Sequence, residues 1–238
     1  MAVDQHATDF LSLNTITGMS AHGTWNPQNH SDDQNENFSQ VLDGNGDVGC
    51  ESDPYGGIDE ISAVYGYCPN AANELGTALQ KILLGDTHNG FCVTSIAIAA
   101  TNSGPLQFTF TGHNHDEQAH AGSEAQYQLP SSLVTILNAA DPKQGVIDWF
   151  SKETGGSVGA QSSSLNFACE HTDVEDGAGD HLAGDNSLGR IDASVEYAGA
   201  ASGEPAAEWS RDTRNDTKSN NAPTTSSISA HQFVTRQP

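Results

Sequence analysis

Positive charge is what this sequence has least of. No lysine or arginine occurs before Lys81, and the 238 residues carry 8 basic against 31 acidic side chains, a formal net charge of −23. A surface of that sign repels phosphate backbones and anionic lipid, which argues against a role in binding polyanions. No apolar stretch approaches the length of a membrane span, so membrane insertion is not expected. The first residues, MAVDQHATDFLSLNTITGMS, start acidic and hold no apolar core, so a secretory signal is not expected either. The four cysteines, Cys50, Cys68, Cys92 and Cys169, form no Cys-x-x-Cys pair. That removes zinc-knuckle and dithiol redox motifs and makes free thiols the default.

What is present is β-forming. The segments 61–68 (ISAVYGYC), 90–102 (GFCVTSIAIAATN), 105–114 (PLQFTFTGHN), 163–174 (SSLNFACEHTDV), 188–199 (LGRIDASVEYAG) and 224–234 (TTSSISAHQFV) alternate with a period of two and are rich in β-branched or aromatic residues. Each is expected to be a strand. Nearly every position of CVTSIAIAA is apolar, which predicts a strand buried on both faces. One helix stands out over 70–85, NAANELGTALQKILLG, with Leu75, Leu79 and Ile82 on one face and Gly85 as the stop. A shorter helix is expected near 131–138, and 141–150 (DPKQGVIDWF) reads as a turn feeding an apolar strand or helix end. Residues 26–37 and 211–223 lack apolar anchors and read as long exposed loops.

A repeat runs through this pattern. VLDGNGDVGCESDPYGGIDE, 41–60, returns as VEDGAGDHLAGDNSLGRIDA, 174–193, with Val41, Asp43, Gly44, Gly46, Asp47, Gly56, Ile58 and Asp59 matched in register. A calcium loop of the EF type wants oxygen ligands at positions 1, 3 and 5, Gly at 6 and Glu at 12. From Asp43, position 6 is Val48 and position 12 is Pro54; from Asp176, position 3 is Ala178. What the repeat keeps is Asp-Gly and Gly-Asp around one variable residue, the chemistry of a tight reversal. Asp43, Asp47, Asp176 and Asp180 are therefore read as acidic hairpin tips, within related meanders at 41–66 and 174–198. The fold class expected is mainly β: an antiparallel sandwich or barrel with one packed α-helix and an internal meander repeat, in a single β-rich assembly domain over 1–238.

Few residues point to chemistry. His113, His115 and His120 lie in GHNHDEQAH, and a His-x-His pair on a strand turns both imidazoles to one face, where Zn or Fe can bind. A cupin-like site would need a Glu four or five residues after the second His, where Ala119 and His120 stand, so a solvated polar loop is the favoured state. GGSVGAQSSS, 155–164, holds a Gly-x-Ser-x-Gly string at Gly155, Ser157 and Gly159, but it has the wrong glycine spacing for a phosphate loop and no Lys. The sequence thus suggests no enzyme, no catalytic residue, no cofactor and no bound metal.

In layout the chain resembles the tail-tube proteins of bacterial viruses. The strand series, the helix at 70–85, the loop at 26–37 and the acidic residues of VLDGNGD and VEDGAGD carry the likeness. The resemblance implies a virion structural protein that assembles in the host cytoplasm into stacked homo-oligomeric rings. It implies an acidic lumen through which DNA passes without specific binding, contacts with other virion proteins, and the four tip aspartates in the lumen or between rings. Rival readings are a capsid decoration protein, and a secreted calcium-dependent adhesin or carbohydrate-binding β module.

Overall fold

A computed structural model describes residues 23–37, 40–42, 48–51, 55–69, 74–88, 91–115, 126–153, 159–175, 181–199, 209–219 and 222–236. The chain is mainly β, and nine antiparallel strands form one large sheet. Its strands are β1 (Gly23–Asn37), β4 (Tyr55–Pro69), β5 (Thr87–His88), β6 (Phe91–Thr101), β7 (Leu106–His115), β8 (Ala160–Glu175), β9 (His181–Ala198), β10 (Ser210–Ser219) and β11 (Ala222–Phe233). They are ordered β1-β4-β7-β6-β8-β9-β11-β10, with β5 beside β6. Two short strands, β2 (Gln40–Leu42) and β3 (Val48–Glu51), form a separate pair. The large sheet does not close on itself, so the expected sandwich or barrel is replaced by an open sheet.

All six expected strands lie within observed ones to within one residue at either end. Their alternation builds a single apolar face, because register aligns the inward positions from strand to strand. Tyr65 faces Phe108, which faces Ile98, which faces Leu165, which faces Ala193, which faces Ala230. Every one of these is buried. Aromatic rings fill the β1–β4–β7 end of this face, where Trp25 packs at 4.8 Å from Tyr67 and 5.1 Å from Phe108 between centroids. Positions one residue out of step are small and polar, as in the row Ser164, Ser194, Ser229 and Thr213. β6 is correspondingly half-buried at Ser95, Ala97 and Ala99 rather than sealed on both faces.

Among the described residues three helices cover the apolar face: α1 (Leu75–Leu79), α2 (Ser131–Leu137), where the shorter helix was expected, and α3 (Pro142–Glu153). Leu75, Leu79 and Ile82 are fully buried, as their spacing requires. The expected helix at 70–85 is much shorter, however. After Leu79 the chain tightens into i→i−3 bonds, with Ile82 N–H donating to Leu79 O, and Leu84 then exchanges both backbone hydrogen bonds with Tyr127. That bridge draws the chain out of the helix. Gly85, at φ 82°, makes the reversal. Residues 70–73 lie outside the described part. The segment 141–150, read as a turn feeding an apolar strand or helix end, instead starts α3: Asp141 Oδ1 accepts the Gln144 N–H, and Pro142 occupies the first helical turn.

The segments read as exposed loops are strands. Residues 26–37 belong to β1 and 211–219 to β10, the two edges of the sheet. An edge strand pairs on one side only, so backbone bonding suffices without an apolar stripe. Each is also anchored by one buried tryptophan just before the polar run, Trp25 in β1 and Trp209 immediately ahead of β10.

Candidate functional site

The four tip aspartates, Asp43, Asp47, Asp176 and Asp180, lie outside the described residues, but the strands that flank them are ordered as hairpins. Val41 pairs with Cys50 across the first tip, and Glu175 pairs with His181 across the second. The surroundings of the two copies differ. β3 pairs with β2 and, among the described residues, not with β4, whereas the second copy runs on as one strand through Gly189. Gly56 and Gly189 thus fall inside β4 and β9, where turns were expected. At Leu188, φ 51°, the β8–β9 register slips, and a Cβ on Gly189 would sit 2.2 Å from the Tyr127 ring. The glycine makes room for Tyr127.

Of the expected histidine set, His120 lies outside the described residues, as does the side chain of His115. His113 is buried, and its neighbours are ones that sequence spacing could not supply. Cys92 of β6 is its direct cross-strand partner, and His171 of β8 lies against it with ring centroids 3.9 Å apart and planes tilted by 47°. One donor atom from each of Cys92, His113 and His171 lies within 4.8 Å of the other two. Cys92 is fully buried and His171 half-buried.

Strand irregularity aims these groups together. β6 carries a bulge between Val93 and Ser95 against β7, and the β8–β9 pair slips between Ala168 and Glu170. Beyond these points β8 no longer pairs with β6, and β5 takes its place beside Cys92. Bulges of this kind re-aim side chains next to sites. Asn186, opposite His171 on β9 and 1% exposed, joins the cluster: its Oδ1 is 2.8 Å from His171 Nδ1, and its Nδ2 donates to Cys92 Sγ at 3.9 Å. With Oδ1 as acceptor, His171 donates from Nδ1, which puts the ring's lone pair on Nε2.

A second feature is the pair of sheet edges. All residues from Ser210 to Lys218 are exposed, and this strand holds Arg211, Arg214 and Lys218, three of the chain's eight basic residues. β1 holds Asp32, Asp33 and Glu36 and no basic residue. β10 is tied to β11 by side chains as well as backbone. Ser226 Oγ donates to Asp216 Oδ1 at 2.6 Å, His231 Nδ1 lies 2.7 Å from Asp212 Oδ1, and Thr213 and Ser229 hydroxyls meet at 2.7 Å. The Ser226 hydroxyl and then Arg214 hold Asp216 below the usual carboxylate range. A shallow polar groove of about 340 Å³ at this end is lined by Gln161, Glu196, Tyr197, Asn215, Thr217 and Ser226. It brings no nucleophile beside a base.

Among the described residues no helix is long and apolar enough to cross a membrane. No protein-family model matches the chain, and no curated protein shows significant similarity to it.

Proposed function

We propose that the chain is a self-assembling virion structural protein, a subunit of a tail tube whose neighbours join edge to edge, β1 of one copy against β10 of the next. The observation that carries this is the open sheet with two long edges of unlike charge, acidic on β1 and mixed on β10, where Arg211, Arg214 and Lys218 outnumber Asp212 and Asp216. Among the described residues, no strand pairs with the outer side of either edge. Unpaired edges invite another chain, and monomers blunt them with short strands, prolines or covering loops. Here they are 15 and 10 residues long, and Pro27 in β1 and two bulges in each strand interrupt them without shortening them. A β1–β10 contact is head-to-tail, and such a contact closes into a ring or propagates as a filament. One face of the sheet is taken up by helices, and the other, of Ser, Thr, Asn and acidic residues, is suited to line a wetted channel. A lumen drawn from a chain of net charge −23 repels DNA and lets it slide.

Electron microscopy and sedimentation of concentrated protein test the reading: rings or tubes are expected, and a persistent monomer overturns it. A discrete small oligomer that does not stack would favour the decoration role instead. Proline placement tests the edge. Successive N–H groups on a strand point to opposite sides, so of Arg214→Pro and Asn215→Pro one removes a β11 bond and the other an outward donor. The outward variant is expected to stay folded and to stop assembly.

A further inference from the structure

We propose that Cys92, His113 and His171 form a binding site for one Zn²⁺ ion, oriented by Asn186. The donor set is one thiolate and two imidazoles, which favours zinc over the oxygen-seeking Mg²⁺ and Ca²⁺. Three features argue for a metal over a merely hydrogen-bonded polar cluster. The groups are gathered from three strands at a point where the sheet abandons regular pairing on both sides. The cysteine, His113 and Asn186 are each at least nine-tenths buried, in a sheet whose other buried positions, Ser163 and Ser226 apart, are apolar among the described residues. Finally, the Asn186 amide is polarised correctly at both ends. Its oxygen accepts the hydrogen bond of His171 Nδ1–H, which puts that ring's lone pair on Nε2, while its Nδ2 donates toward the Cys92 sulfur and favours the thiolate.

The geometry is close to a tetrahedral site. Zinc bonds of ~2.0–2.1 Å to nitrogen and ~2.3 Å to sulfur put donors about 3.3 to 3.6 Å apart. Donors within 4.8 Å therefore have to draw in by at most about 1.2 to 1.5 Å, and the tilted rings of His113 and His171 have to turn toward one ion. Binding forms three metal bonds and releases the thiol proton to solvent, leaving one tetrahedral position for water. The ion would tie β6 and β7 to β8 where β8 has left β6. This site is distinct from the sheet edges and does not depend on the assembly reading.

The test uses the full chain, stripped with chelator and titrated with Co²⁺ alone. One equivalent is expected to produce a near-ultraviolet thiolate-to-cobalt band and visible bands of tetrahedral intensity, both erased by Zn²⁺, and Zn²⁺ is expected to raise the melting temperature. Cys92→Ser should remove the thiolate band, and Asn186→Ala should weaken binding by about 10- to 100-fold while keeping every ligand. If Cys92→Ser does not fold, the same titration on His171→Gln, and Zn²⁺ protection of thiols from alkylation in the unaltered chain, decide the matter. Absence of the thiolate band and of thiol protection overturns the proposal. So does binding that survives both Cys92→Ser and His171→Gln but is lost on replacing His115 and His120, since the ion would then sit in the histidine loop.

Discussion

The centre and the edges of this sheet are built from different chemistry yet pair by the same backbone bonds. β6 and β7 carry Ile96, Ile98, Phe108 and Phe110, all with essentially no exposure, while β10 is exposed along its length. Alternation in a sequence reports which face is buried; it does not report whether a strand exists. A central strand must satisfy two neighbours and a packed face, so its pattern is strict. An edge strand has one neighbour and needs only hydrogen bonding and an anchor, here a single tryptophan at each edge.

The sharpest test of that contrast is to remove apolar mass from the centre. Phe108→Ala, at the crossing of Trp25, Tyr67 and Phe110, is expected to cost about 3 to 5 kcal/mol in denaturant unfolding. Trp209→Ala should approach the same figure if the tryptophan holds the edge, with faster amide exchange confined largely to β10. Uniform exchange throughout the sheet would mean that the edge has no separate anchor.

Somewhat smaller is the effect of crowding the helical layer. A Cβ on Gly76 would stand 2.2 Å from Val134 O, a backbone atom that cannot swing aside, so Gly76→Ala is expected to cost roughly 1 to 3 kcal/mol. By comparison Thr213→Ala on the edge should change monomer stability by no more than about 0.5 kcal/mol. A larger loss there would show that the edge is packed, not merely paired.

Opposite ends of the pH scale separate the two regions. Burial, and then the neighbouring Cys68 charge, push Tyr67 up from the ordinary 10.0 to about 12. A raised tyrosine stabilises the fold below its ordinary value, and that contribution is lost as pH climbs from 10 toward about 12. Absorbance at 295 nm should therefore show this ring ionising late and together with loss of the core. Asp216 has its carboxyl lowered, so its contribution is present above the ordinary carboxylate range and is lost as pH falls through the depressed value. Acid should loosen amides of β10 before those of β7, and Asp216→Asn should erase the difference. Because the carboxylate is exposed, this is the smallest of the expected effects.

The candidate site was legible only in part. His113 stood out because two histidines alternate on a strand that ends in polar residues. Its partners did not, because Cys92 and His171 are brought to it by cross-strand register and by bulges, neither of which leaves a mark in local spacing. The helix at 70–85 was right in its buried face and wrong in its length, since the Leu84–Tyr127 bridge is a contact between distant segments. The Asp-Gly repeat correctly marked two chain reversals, but it did not distinguish a detached hairpin from the end of a long β8–β9 ribbon.

By itself the sequence determined the β class, the positions of the central strands, the face on which α1 is buried and the negative field of the whole chain. These follow from local periodicity and from counting charge, which need no partner to be defined. Only tertiary structure decided that the sheet stays open, that polar segments serve as its edges, and that a cysteine, two histidines and an asparagine meet between strands. Each of those outcomes depends on which distant strands pair and where their register slips, and that choice is made by the packing of the whole face.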